Sequence, residues 1–124
     1  MPHPTEHGSA GRPLGEDEAF ELAETMRALG SPARLRVLVA LLDGEKSVEE
    51  LAAAVELEQS ATSHHLRLLR SLRLVRVRRD GRHRRYGLYD HHVQDLLAAV
   101  RHHHEHVHPP AVVALPAERA SPRS

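Results

Sequence analysis

The chain has 124 residues, 40% of them apolar and only 2% aromatic, with 17 basic side chains against 17 acidic ones and 12 histidines. A length of one small domain excludes a multidomain enzyme, and the scarcity of aromatic residues favours packed helices over a β-sandwich. The absence of cysteine excludes disulfides and thiolate metal sites, and without a signal-like or membrane-length apolar run the chain is expected in the cytoplasm, with no membrane partner.

Residues 1–15, with His3 and His7, and residues 109–124 are rich in Pro, Ser, Ala and Gly. They are expected to be mobile tails around a folded domain at 16–108. Ala19, Leu22, Ala23, Met26 and Leu29 recur at helical spacing and place a first helix ending near Gly30. Ser31 as cap and Pro32 in the first turn start a second, with Leu35, Leu38, Val39, Leu41 and Leu42 inward. Ser47 and Glu50 form a capping box for a short third helix that buries Val48, Leu51, Ala52 and Val55.

After a turn at 56–58, a fourth helix is predicted from about Ser60 to Leu72, with Thr62, His65, Leu66, Leu69 and Leu72 on one face. Leu74 to Arg79 and Arg84 to Leu88 alternate about an Asp80-Gly81 turn as a β-hairpin. Asp90 opens a last helix striped by Val93, Leu96, Leu97 and Val100, which Pro109-Pro110 ends. The fold class is therefore mainly α with a small β-hairpin. A short helix, a turn, a second helix and a basic hairpin make a winged helix-turn-helix, and so small a core calls for a homodimer.

The neutral net charge conceals a sorting along the chain. Arg67, Arg70, Arg73, Arg76, Arg78, Arg79, Arg82, Arg84 and Arg85 face only Asp80 between positions 67 and 85. Such a stretch suits a polyanion, and with the helix-turn-helix beside it double-stranded DNA is the partner expected. Gln59, Ser60, Ser63, His64 and Arg67 on the fourth helix offer groups for base edges and phosphates, with Arg82, Arg84 and Arg85 on the hairpin for the backbone. Taken singly, Ser60 also reads as a helix cap and His64 as an ordinary surface residue.

Histidine is clustered too, with His91, His92, His102, His103, His104, His106 and His108 in the last helix and its end. His92 and His103 are eleven residues apart, about 16 Å along a helix, so they cannot share an ion within one chain. Asp90 and His92 of one copy meet His103 and His106 of another only if two last helices pack antiparallel. Each also has a plain role, as a helix cap, an interface polar group or a cation at a helix end. The string His104-Glu105-His106-Val107-His108 fits the H-E-x-x-H pattern of zinc hydrolases. His108 precedes a proline and so small a domain leaves no substrate cleft; the chain does not read as an enzyme.

Over residues 16–108 the chain resembles the ArsR/SmtB family of bacterial metal-sensing regulators. The resemblance rests on Leu29-Gly30-Ser31-Pro32-Ala33-Arg34-Leu35, on Gln59-Ser60-Ala61-Thr62-Ser63-His64-His65-Leu66, on the wing from Gly81 to Leu88, and on the Asp-x-His…His-x-x-His pattern of Asp90, His92, His103 and His106. It implies a homodimer that binds its operator without metal and is released when metal fills an inter-subunit site made by those four residues. The third helix carries Ser47-Val48-Glu49-Glu50-Leu51 in place of a cysteine pair, so the family's thiol site is absent. The nearest resemblance is to the nickel/cobalt branch, which favours Ni(II), with Zn(II) or Co(II) as alternatives and His3, His7 and His108 as further donors. Two other readings stay open: a metal-independent regulator whose histidines sense pH, and a nickel- or zinc-buffering protein.

Overall fold

The structure, a computed structural model, describes residues 11–110. In chain order the elements are α1 (Glu16–Leu29), α2 (Pro32–Ala40) with a 3-10 turn at Leu41–Asp43, α3 (Val48–Val55), α4 (Gln59–Ser71), β1 (Val75–Asp80), β2 (His83–Leu88) and α5 (His91–Val107). This is the expected winged helix-turn-helix. The first and last parts of the expected tails, residues 1–10 and 111–124, lie outside the described residues.

Local chemistry sets most boundaries. Glu16, Asp17 and Glu18 place negative charge in the first turn of α1, against the positive end of the helix dipole. Ser31 Oγ accepts from Arg34 N at 3.3 Å, and Pro32 has no N–H to leave unpaired. At α3 the capping box is complete: Glu50 N donates to Ser47 Oγ at 3.1 Å and Ser47 N to Glu50 Oε1 at 2.9 Å. Glu56 then closes α3 in the left-handed conformation, φ 58°, which turns the chain sharply into α4. Asp90 Oδ1 caps α5, accepting from His92 N at 3.0 Å and Val93 N at 3.3 Å.

The hairpin turn is shifted by one residue from the expected Asp80-Gly81. Asp80 pairs with His83 in the ladder, so the two-residue loop is Gly81-Arg82. Of these two only Gly81 has positive φ, 65°, as a type II′ turn requires of its first central residue. The segment before α3 extends the sheet: Lys46 N donates to Tyr86 O at 2.9 Å and Tyr86 N to Lys46 O at 2.8 Å.

One core unites α2 to α5 and the hairpin. Val37, Leu38, Leu51, Leu66, Leu69 and Val75 are its fully buried members, joined by Leu41, Val55, Tyr86, Leu88, Val93 and Leu97. Val37 lies outside the expected stripe of α2, whose Leu35, Val39 and Leu42 are only half-buried. The reason is that α2 packs against α1, α3 and α4 together, so it buries a wider arc than a one-sided helix.

The stripes of α1 and α5 differ more from expectation. On α1 Leu22 and Met26 are 48% and 63% exposed, and on α5 Leu96 and Val100 are 38% and 55% exposed. Both helices are peripheral, α1 lying chiefly on α2 and α5 on β2, so one chain covers only part of each stripe. Between them runs an apolar groove of about 780 Å³, lined by Met26, Leu35, Val39, Leu96 and Val100 among others. No helix among the described residues is long and apolar enough to cross a membrane.

Removing the hydroxyl that starts α3 tests how far its cap stabilises the fold. Ser47→Ala should cost about 1 kcal/mol, read as a lower urea midpoint at unchanged slope in equilibrium unfolding.

Candidate nucleic-acid interface and metal centre

Helix α4 is held by its buried face and presents the other. Thr62, Leu66 and Leu69 are buried, and Thr62 Oγ1 donates to Glu58 O at 2.9 Å, so even the polar member of that face is satisfied. Gln59, Ser60, His64 and Arg67 are exposed and Ser63 is half-exposed. The N-cap position is Glu58, so Ser60 lies within the first turn of the helix and is not its cap. His65, expected on the inner face, is half-buried; burial first, then the charge of Arg34 and neighbouring His64, lowers its pKa and so favours the neutral ring.

On the wing the strand register sorts the arginines. Arg82 and Arg84 are exposed at the tip, as a backbone contact requires. Arg85 is placed differently: it is half-buried and turned back, with Nη1 donating to Glu50 Oε1 and Nη2 to the Glu45 carbonyl, both at 3.2 Å. Arg76 Nη1 donates to Glu45 Oε2 at 2.6 Å and Arg78 Nη2 to Glu45 Oε1 at 2.7 Å. Hydrogen bonds from Arg78 and Arg76 outweigh the opposing effect of burial and hold the Glu45 carboxyl down to about 2. Glu45 belongs to no motif and lies more than thirty positions before its partners. Only the pairing of its segment with β2 brings it to them.

On α5 the structure brings together two of the four proposed ligands. His92 Nδ1 lies 3.3 Å from Asp90 Oδ2, at the N-terminal end. Desolvation pushes the Asp90 carboxyl up, but the His92 ring and the N–H groups of Val93 and His92 together outweigh it and lower its pKa. His103 and His106 stand exposed at the far end of the same helix, three positions apart and thus on one face. Among the described residues no three side chains of ligand type converge. The H-E-x-x-H string forms no site either: helix α5 stops at Val107, and the His108 ring folds back to stack on His104 at 4.4 Å. His3 and His7 lie outside the described residues.

Known proteins share this fold and much of this sequence. Residues 31–77, from the cap of α2 to the first strand, match the pattern of the bacterial regulatory protein arsR family. The HTH-type transcriptional regulator NmtR of Mycobacterium tuberculosis is 46% identical over 107 residues, 82% of this chain and 89% of that protein. The chain belongs to the ArsR family.

A further relative of this ArsR-family chain is the transcriptional repressor SmtB homolog of Synechocystis, 48% identical over 87 residues, 70% of this chain and 66% of that protein. Among solved structures, apo-NmtR in solution is similar with a TM-score of 0.67 at 42% identity, covering 87% of this chain and 91% of that one. A homodimeric winged helix-turn-helix DNA-binding domain from Mycobacterium bovis is similar with a TM-score of 0.69 at 29% identity, covering 81% and 96%. The family is one of transcriptional regulators, not enzymes, and α3 and α4 are its DNA-binding helix pair.

The depressed Glu45 pKa has a consequence for this regulator's stability. A carboxyl whose pKa is lowered on folding contributes stability above its ordinary pKa, and that contribution is lost as the pH falls toward about 2. The stability difference between wild type and Glu45→Gln should therefore be full at neutral pH and shrink steadily below about pH 4, as measured by urea unfolding at a series of pH values.

Proposed function

We propose that the chain is a homodimeric, metal-responsive repressor that holds operator DNA in its metal-free state and releases it when Ni(II), or alternatively Co(II) or Zn(II), binds between paired α5 helices. The observation that carries this reading is the division of donors along one helix. Asp90 and His92 touch at one end, His103 and His106 share a face at the other, and the half-exposed apolar residues Leu96 and Val100 lie between them. An antiparallel partner helix would cover that stripe and bring the opposite ends together, giving two equivalent sites per dimer. The groove between α1 and α5, open in one chain, is where the partner's helices would pack.

The donor set suits a borderline divalent ion. One carboxylate and three imidazoles complete a tetrahedral zinc site, whereas Ni(II) and Co(II) sensing takes more donors, for which His3, His7 and His108 are available. The repressor sign is supported by the Synechocystis relative, which is named a transcriptional repressor. Gln59, Ser60, Ser63 and His64 of α4 would read base edges in the major groove, with Arg67 on the adjoining phosphates. Arg82 and Arg84 would follow the neighbouring backbone. Arg85, bonded to Glu50 and the Glu45 carbonyl, would act by shaping the wing. Regulation follows from linkage: a metal that weakens DNA binding by some factor is itself weakened by DNA by the same factor.

The inter-helix site is tested by His103→Ala in fluorescence anisotropy on the protein's own upstream DNA at controlled free metal. The variant should bind DNA like the wild type but keep its affinity when metal is added; a retained metal response would sink the site. In the same assay Arg82→Ala should bind all duplexes more weakly and lower the slope of log K against log salt by about one. Unchanged affinity would remove the wing tip from the interface.

A further inference from the structure

A surface that meets phosphates gains nothing from neutralising its own arginines, yet this wing commits three of its own to carboxylates. The antiparallel register explains which three. Arg76, Arg78, Arg85 and Gly87 share one face of the hairpin, while Arg79 and Arg84 lie opposite each other on the face that carries Val75, Val77, Tyr86 and Leu88. On the first face Glu45, only 22% exposed in its side chain, receives Arg78 through both Nε and Nη2 and Arg76 through Nη1. On the second face Arg79 and Arg84 are exposed.

Two further features build this arrangement. A Cβ on Gly87 would stand 3.0 Å from Arg76 Nη2 and 3.2 Å from Glu45 Cγ. The missing side chain at Gly87 therefore leaves the space in which Arg76 crosses its neighbour strand to reach the carboxylate. The paired hydrogen bonds between Lys46 and Tyr86 then fix the Glu45 backbone against β2. An isolated surface ion pair contributes almost nothing, but a forked Arg–carboxylate contact within a network of several charges is the case in which geometry holds, here with Arg76 and Arg78 about half exposed and Glu45 largely shielded.

We propose that Glu45 is a specificity-determining residue of the DNA interface. It withholds Arg76 and Arg78 from the phosphates and holds the hairpin at one angle to α4, so that backbone contact is confined to the tip and its far face. Sequence-independent attraction grows with every cation free to meet a phosphate, whereas operator preference depends on a wing that seats only when α4 is in register. A regulator with all nine arginines loose would gain affinity for any duplex and lose discrimination. The proposal rests on the operator-binding reading above.

The test uses the full chain and two duplexes of equal length, one from the region upstream of its own coding sequence and one scrambled, titrated at several salt concentrations. Glu45→Gln should bind the scrambled duplex more tightly, with a salt slope steeper by about one to two, and its preference for the upstream duplex should fall about tenfold. Arg78→Gln removes an arginine already withheld and should leave the scrambled-duplex slope as in the wild type. Should Glu45→Gln fail to fold, Arg76→Gln combined with Arg78→Gln cuts the same contact from the other side and should likewise leave that slope unchanged. Either a Glu45→Gln protein with wild-type slope and preference, or an arginine variant whose slope drops by about one per residue removed, overturns the proposal. If the wild type itself shows no preference between duplexes, the operator reading fails, while the scrambled-duplex slopes still decide whether the arginines are withheld.

Discussion

The position of α4 depends on one packing interaction: Leu66 and Leu69 sit fully buried against Val37, Leu38 and Leu51. That contact ties the candidate recognition helix to α2 and α3, and losing one of its buried leucines to alanine costs about 2 to 5 kcal/mol. The exposed row of Gln59, Ser60, His64 and Arg67 is the reverse side of the same helix. Its direction is set by burial and not by anything in the row itself. The hairpin joins the core through Val75, Tyr86 and Leu88, so the wing and α4 rest on one support.

That core is too small to cover everything around it. Helix α1 leaves Leu22 exposed, and α1 and α5 leave Met26, Leu96 and Val100 facing solvent across an apolar groove, in a domain whose surface-to-volume ratio is already unfavourable. Under the proposed function this shortfall is the basis of sensing. The helix that needs a partner to bury its stripe is the helix that carries half a ligand set at each end. Dimer geometry and metal occupancy would then be coupled through one surface, and that surface adjoins the core that holds α4.

Electrostatics shows a similar division of labour. The chain has as many acids as bases, but its carboxylates are not mere counter-charge scattered over the surface. Glu50 caps α3 through Ser47 and also receives Arg85, and Glu45 receives Arg76 and Arg78. The short segment around the start of α3 thus closes a helix end and braces the wing at once. What remains free is a tip and one face of positive charge, narrower than a count of arginines suggests.

Much of this was legible in the sequence because it is local. The caps at Ser31, Ser47 and Asp90 were readable as written, since they depend on residues two or three positions apart. So were the helical period of α4, the alternation of the wing and the separation of His92 from His103, which obey the fixed rise of a helix and the fixed period of a strand. The turn slipped by one residue because Asp80 and His83 can pair only once the ladder is formed. Three matters needed the tertiary structure: the burial of Val37, the exposure of the α1 and α5 stripes, and the capture of Arg76, Arg78 and Arg85 by Glu45 and Glu50. Each depends on which elements end up side by side. The sequence by itself determined a winged helix-turn-helix with donors divided along its last helix; only the tertiary structure decided which faces stay open and which arginines stay free, because burial and ion pairing are relations between segments far apart in the chain.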